Sequence, residues 1–280
     1  MRLLLVLTVV FSVTAFAMTD GAPTISLSGG EADAMWDEIA NYDLEAGGIP
    51  NAYTVGCGWD GTYFWVTNGA GMAGAGTGMF YLFSSDGMLV DDFPQFNAPG
   101  WGLRDLCFDG TYIYGSDDNQ IDYYDITSHE KVGAFTSNAV NPNRALAYDG
   151  TDFYTGSFSE VIYQLTWDGV SGSTATHTNW SSAATSTYGA AWDSANNCLW
   201  VTSANGSGII AQIAADGSLV ENHTVIADGT YGGATMRNTS PVVELFVLEQ
   251  GSPDALRGYD VTDAGGALSR DSWGAIKSLF

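Results

Sequence analysis

Short apolar runs alternate with turn residues from Cys57 to Val261, and they fall into two series. In the first series an apolar strand meets an Asp-Gly turn and a second apolar strand follows. Its copies are Cys57-Gly58-Trp59-Asp60-Gly61-Thr62-Tyr63-Phe64-Trp65, Leu106-Cys107-Phe108-Asp109-Gly110-Thr111-Tyr112-Ile113-Tyr114 and Leu146-Ala147-Tyr148-Asp149-Gly150-Thr151-Asp152-Phe153-Tyr154. A looser copy joins Ala190-Ala191-Trp192-Asp193 to Cys198-Leu199-Trp200-Val201, and a degenerate one joins Ala234-Thr235-Met236-Arg237-Asn238 to Leu245-Phe246-Val247. The turns stand 49, 40, 44 and 45 residues apart. Asp-Gly between apolar strands predicts a hairpin with a type I′ turn, which needs positive φ at both central residues.

The second series follows each first one. It reads Tyr81-Leu82-Phe83, Tyr124-Asp125-Ile126, Tyr163-Gln164-Leu165, Ala211-Gln212-Ile213 and Tyr259-Asp260-Val261. Turn residues come next, as in Ser85-Asp86-Gly87, then a fourth apolar stretch such as Met88-Leu89-Val90. Four short strands in a repeat of this length predict one blade of a β-propeller, so two series of five predict an all-β ring of five blades. A ring of six with one composite blade is the alternative.

The blades resemble those of the secreted bacterial β-propeller repeat proteins, in the broad YVTN/WD40-like group. These carry W-D-G-T-x-φ-W followed by Y-x-φ-x-x-D-G. The resemblance covers roughly residues 35–280 and concerns fold; such rings host many roles, sugar-cleaving enzymes among them.

The ends read differently. Met1-Arg2, an apolar run from Leu3 to Val13 and Ala15-Phe16-Ala17 predict a secretory signal peptide over residues 1–17. Residues 18–34 predict an extended leader, and residues 35–280 a single propeller domain. Asp271-Ser272 predicts the cap of a short helix carrying Trp273, Ile276 and Phe280. No fourth strand follows Val261. The stretch Met35–Leu44 is therefore expected to close the ring as the outer strand of the last blade, which leaves no open blade face.

Composition narrows the partners. Thirty-two acids face eight bases, a formal net charge of −24. Such a surface repels nucleic-acid phosphates and anionic lipid. The expectation is an exported, monomeric protein with a protein or glycan ligand, no nucleic-acid partner and no membrane insertion. Three cysteines without a Cys-x-x-Cys pair predict buried, inert thiols. Cofactors are expected to be none; the oxygen-rich stretch Ser116–Asp122 suggests calcium as the alternative.

Candidate chemistry belongs to the face opposite the Asp-Gly hairpins, where loops enter strand one and join strands two and three. Trp101, Arg104, Asp105, Asp117, Asp118, Arg144, Glu160 and Glu249 fall there. Arg104 and Arg144 stand five residues before their turn Asp, so two cations are placed beside the channel mouth, suited to an anionic ligand. The turn acids Asp60, Asp109 and Asp149 read as hairpin formers, not catalysts. The aromatics in register with the repeat read as inter-blade core, and Trp167, in a turn between strands three and four, reads as outside it. His129, His177 and His223 fall near outer strands, away from the axis. These readings favour a non-catalytic binding or scaffold ring. The rival is an extracellular carbohydrate-active hydrolase or lyase that uses carboxylates at the channel mouth, given the aromatic content.

Overall fold

The inner strands converge on one axis, and small residues allow it. The computed structural model describes residues 35–262, apart from 50–52, 70–77, 97–100, 183–185, 204, 228 and 240. The signal peptide, the leader and the C-terminal helix predicted above lie outside the described residues, as does most of the Gly-rich stretch 69–78.

The strands in chain order are β1 (Glu38–Asp43), β2 (Thr54–Trp59), β3 (Phe64–Asn68), β4 (Met79–Phe83), β5 (Leu89–Pro94), β6 (Leu106–Phe108), β7 (Tyr112–Ser116), β8 (Gln120–Asp125), β9 (Lys131–Thr136) and β10 (Ala145–Tyr148). There follow β11 (Phe153–Gly156), β12 (Val161–Thr166), β13 (Thr176–Ser182), β14 (Thr187–Asp193), β15 (Cys198–Ser203), β16 (Ile209–Ala214), β17 (Leu219–Thr224), β18 (Tyr231–Thr239), β19 (Val242–Glu249) and β20 (Ala255–Asp260). They form five antiparallel sheets of four strands, the blades of a five-bladed β-propeller. Six blades are thereby excluded. The last sheet runs β1-β20-β19-β18, so the N-terminal strand supplies its outer edge. Glu38 pairs with Tyr259 and Asp43 with Ala255. Arg257 adds an ion pair to Glu38 at 2.9 Å across this closure.

Each repeat signature has a physical cause. Asp60 Oδ1 accepts the N–H groups of Thr62 and Tyr63, both at 2.7 Å, and Oδ2 accepts Trp65 Nε1 at 2.7 Å. Asp109 does the same for Thr111, Tyr112 and the Tyr114 hydroxyl, and Asp149 for Thr151, Asp152 and the Tyr154 hydroxyl. The predicted type I′ turn is corrected here. Within each Asp-Gly-Thr-x loop only the glycine has positive φ (96°, 97° and 102° at Gly61, Gly110 and Gly150), and the Asp side chain closes the turn in place of backbone geometry. Its second oxygen then fixes the aromatic five residues on, which explains the spacing.

Five buried clusters fill the five seams. Between the first two blades, for example, Trp65, Phe80 and Leu82 pack on Leu106, Ile113 and Tyr124. Trp167 belongs to such a seam. It stacks on Phe135 at 4.5 Å, so its expected place outside the core is corrected. Hydroxyl groups also cross the seams. Thr67 Oγ1 donates to Leu103 O, Ser116 Oγ to Arg144 O and Thr202 Oγ1 to Gly232 O, at 2.7, 2.9 and 2.8 Å. Thr187 Oγ1 donates to Ser159 O at 2.8 Å and Gln250 Nε2 to Thr54 O at 2.7 Å, which completes the circle. The three thiols are free and buried, and burial pushes each above its ordinary value.

On the axis lies Asp105, fully buried. Its Oδ2 accepts Leu146 N at 2.9 Å and Ala190 N at 2.8 Å, and its Oδ1 accepts Ala234 N at 3.2 Å. One carboxylate of the second blade thus holds the inner strands of the third, fourth and fifth. Burial pushes its carboxyl up, against the pull of these N–H groups. The fit is tight: a Cβ on Gly233 would stand 2.3 Å from Asp105 Oδ1 and 2.5 Å from Cys57 N.

Asp105→Asn is expected to cost about 1–3 kcal/mol for each N–H it leaves unpaired, read as a lower midpoint in denaturant unfolding. An unchanged midpoint would show that the strands converge without the carboxylate. Asp149→Ala is expected to destabilise by about 1–3 kcal/mol through two lost turn bonds and an orphaned Tyr154 hydroxyl, while Thr151→Ala, at an exposed position of the same turn, serves as the comparison in the same melts.

Candidate functional site

A concave pocket of about 590 Å³ opens at the channel mouth, on the face opposite the Asp-Gly hairpins. Its wall consists of Tyr53, Thr54, Val55, Trp101, Arg144, Phe158, Tyr188, Gln250, Gly251 and Asp254. Two local irregularities build it. Register shifts between Thr54 and Gly56 and between Thr187 and Gly189 leave Val55 and Tyr188 as extra residues on their inner strands. A bulge re-aims the side chain it carries, here into the mouth. Counted back from the turn Asp, Val55, Arg104, Arg144 and Tyr188 all stand at the fifth position, so one repeat position supplies three of the wall residues.

Arg144 is the one cation of this wall among the described residues. Its guanidinium lies 4.0 Å above the Phe158 ring and 5.1 Å from that of Tyr188, and Nη1 donates to the Tyr188 hydroxyl at 3.2 Å. Its Nε is buried and has no hydrogen-bond partner. Burial pulls the guanidinium below its ordinary value, and the charge of Arg104 adds to this. No carboxylate holds it among the described contacts. It is a planar donor fixed by two rings, with hydrogen-bonding capacity left for a ligand oxygen.

Asp254 brings the carboxylate. Oδ2 accepts Thr54 N at 2.9 Å and Thr54 Oγ1 at 2.7 Å, and Oδ1 accepts Gly251 N at 2.9 Å. Oδ1 therefore has room for one further donor. Gln250 donates through Nε2 to Thr54 O, and its Oε1 has no partner among the described residues. Tyr53, Trp101 and Phe158 are 51%, 37% and 50% exposed, so each presents ring surface to the mouth, Phe158 with one face already under Arg144.

The candidates read from sequence separate into three groups. Trp101 and Arg144 line the pocket. Arg104, Asp117 and Asp118 form an ion cluster on the second blade, with Arg104 Nη2 2.8 Å from Asp118 and Nη1 3.6 Å from Asp117. Asp105 spans the axis and Glu249 binds Arg257 on the last blade, while Glu160 is an exposed loop residue. Arg104 and Arg144 are thus not a matched pair: one is neutralised, the other is free to act. Tyr53, Phe158, Tyr188, Gln250 and Asp254 were missed. Tyr188 alone had a signal, the fifth position before Asp193.

In the stretch proposed for calcium, Asp122 binds Lys131 and Asp118 binds Arg104. Among the described residues, no group of three or more His, Cys, Asp and Glu is disposed to hold a metal ion. Two histidines sit between blades, His129 stacked on Phe93 at 4.0 Å and His223 on Trp36 at 4.3 Å, while exposed His177 meets Tyr163 at 5.8 Å within the third blade.

Burial pushes the Asp117 carboxyl from 3.8 up to about 6. The fold then holds a proton that the unfolded chain releases, so this group's contribution falls as the pH rises through that window. Thermal melts are expected to show wild type losing stability relative to Asp117→Asn between those two pH values. A pH-independent difference between the two proteins would rule this out.

No known protein family matches the sequence, and no curated protein matches it. Solved structures do match the fold. One is the glutaminyl cyclase of Myxococcus xanthus, with a TM-score of 0.60 at 13% identity, covering 80% of this chain and 96% of that one. This identity speaks for the fold. The expectation of a non-catalytic binding or scaffold ring is nevertheless corrected by the comparison: a ring that superposes over most of this chain is an enzyme.

Proposed function

We propose that the protein is an enzyme whose reaction centre is the channel mouth, and that it acts on the carboxamide of a small chain end, as the name of its structural neighbour suggests. The observation that carries the reading is Arg144, a half-buried guanidinium with unused N–H capacity on the wall of an aromatic pocket. Donated to an amide oxygen, those N–H groups stabilise the negative charge that grows there as the carbonyl carbon is attacked. In the cyclisation of an N-terminal glutamine, the amine nitrogen bonds to that carbon, the C–NH₂ bond breaks and ammonia leaves with the proton given up by the amine. Asp254 is placed in this reading as the acceptor of that proton, through the unfilled side of Oδ1. The strong negative charge of the chain favours neutral or cationic substrates such as a peptide amino terminus over anionic ones.

A second reading keeps the same pocket for a neutral sugar, cleaved by a hydrolase or lyase. The exposed rings of Tyr53 and Trp101 favour it, since such rings stack on sugars. Against it, Asp254 is the only carboxylate of the pocket wall among the described residues, and glycoside hydrolysis calls for two. In either reading the protein works outside the cell after export, in line with the signal sequence and with the YVTN/WD40-like blade pattern.

The test is to incubate the mature chain with peptides bearing N-terminal glutamine and follow ammonia release, beside a panel of neutral glycans followed by reducing-end formation. Arg144→Met is expected to lower turnover about a hundredfold with unfolding unchanged, and Arg144→Lys is expected not to restore it, because an ammonium lacks the planar fork. No turnover of either substrate class would overturn the enzyme reading.

A further inference from the structure

The ring has a second mouth. On the hairpin face a cavity of about 290 Å³ is lined by Trp59, Phe108, Tyr148 and Trp192, each just before its turn Asp, and by Met236, which, like Tyr148 and Trp192, stands two residues after an N–H bound to Asp105. All five are half-buried. As expected of residues locked to the repeat, all five pack on the inter-blade clusters; at this position they also face a cavity. Four rings and a polarisable thioether thus surround the axis.

The rim is acidic. Asp109 and Asp149 line the same cavity. Their carboxylates are fixed there by two backbone N–H groups and one phenol each, so the charges stand ready at defined places. Among the described residues no Lys, Arg or His lines this cavity. Arg237 lies near the Trp59 ring, 5.7 Å from its centroid, but its charge is met by Glu244 at 2.5 Å and it is not part of the wall. The floor is made of small residues, Cys107, Ala147, Ala190, Ala191 and Ala234. Above them Asp105 crosses the axis, so this cavity and the pocket at the opposite mouth lie on either side of that carboxylate.

Ring faces attract a cation through their quadrupole, most strongly when the cation sheds water easily. A bare ammonium keeps its hydration, whereas an alkylated one does not. We propose that this second mouth is a binding site for a quaternary alkylammonium group, held by Trp59, Phe108, Tyr148 and Trp192 with Asp109 and Asp149 as counter-charges. Charge complementarity selects this occupant over a neutral apolar group: aromatic walls alone accept either, but fixed carboxylates at the rim and a chain of net charge −24 favour the cation.

Choline and its neutral isostere 3,3-dimethylbutan-1-ol are the probes, titrated into the full mature chain and read by calorimetry and tryptophan fluorescence. Saturable choline binding is expected, weakened roughly tenfold or more for the alcohol and for Tyr148→Leu and Trp192→Leu. Denaturant melts of both variants check that the ring stays folded. Equal affinity for choline and the alcohol would mean a merely apolar cavity and would overturn the proposal, as would no binding of choline or binding untouched by both variants. Arg144→Met is expected to leave choline binding unchanged, which keeps this site separate from the reaction centre at the other mouth.

Discussion

One carboxylate holds this ring at its narrowest point. Five inner strands approach the axis with N–H groups that their own sheets do not use, and burial makes each unpaired N–H costly. Asp105 answers three of them, from three different blades. The arrangement depends on residues small enough to let the strands converge, with Gly233 directly against the carboxylate. It also divides the channel. Among the described residues, two cavities of different chemistry lie on either side of Asp105.

The two mouths differ because the two ends of an inner strand have different jobs. At the hairpin end the strand must turn, and in the first four blades an Asp at the turn fixes both the loop and an aromatic behind it. The position just before that Asp faces the axial cavity in the first four copies, with Met236 beside it in the fifth, so a pseudo-symmetric collar results. At the other end chains arrive from neighbouring blades, bulges occur in some copies and not in others, and symmetry is lost. Arg144 escapes the acids that hold Arg104 because the corresponding place on the third blade is occupied by Phe158 and the adjacent Tyr188. A cation left without a carboxylate beside three exposed rings is the asymmetry on which chemistry can act.

Architecture was legible from residues that recur. The Asp-Gly-Thr spacing located every early hairpin, and the missing strand after Val261 pointed to Met35–Leu44 as the closing one. These features are local or are sums over copies, so sequence spacing carries them. The turn type was misread because Asp-Gly commonly signals positive φ at both positions, whereas here the Asp side chain supplies the closing bonds itself. Trp167 was misread because a turn residue can fold back onto a neighbouring blade, a contact with Phe135 that no spacing reveals.

The site was legible only in fragments. Sequence by itself determined the number of blades and the closure of the ring, since each follows from strand periodicity and turn chemistry. Tertiary structure decided which charges are neutralised and which are free. Pairing depends on neighbours brought together by ring closure: Asp254 of the last blade reaches Thr54 of the first, 200 residues away. It also decided that the Trp59, Phe108, Tyr148 and Trp192 position faces a cavity, because only the radius of a closed ring of five sets how much room is left at its axis.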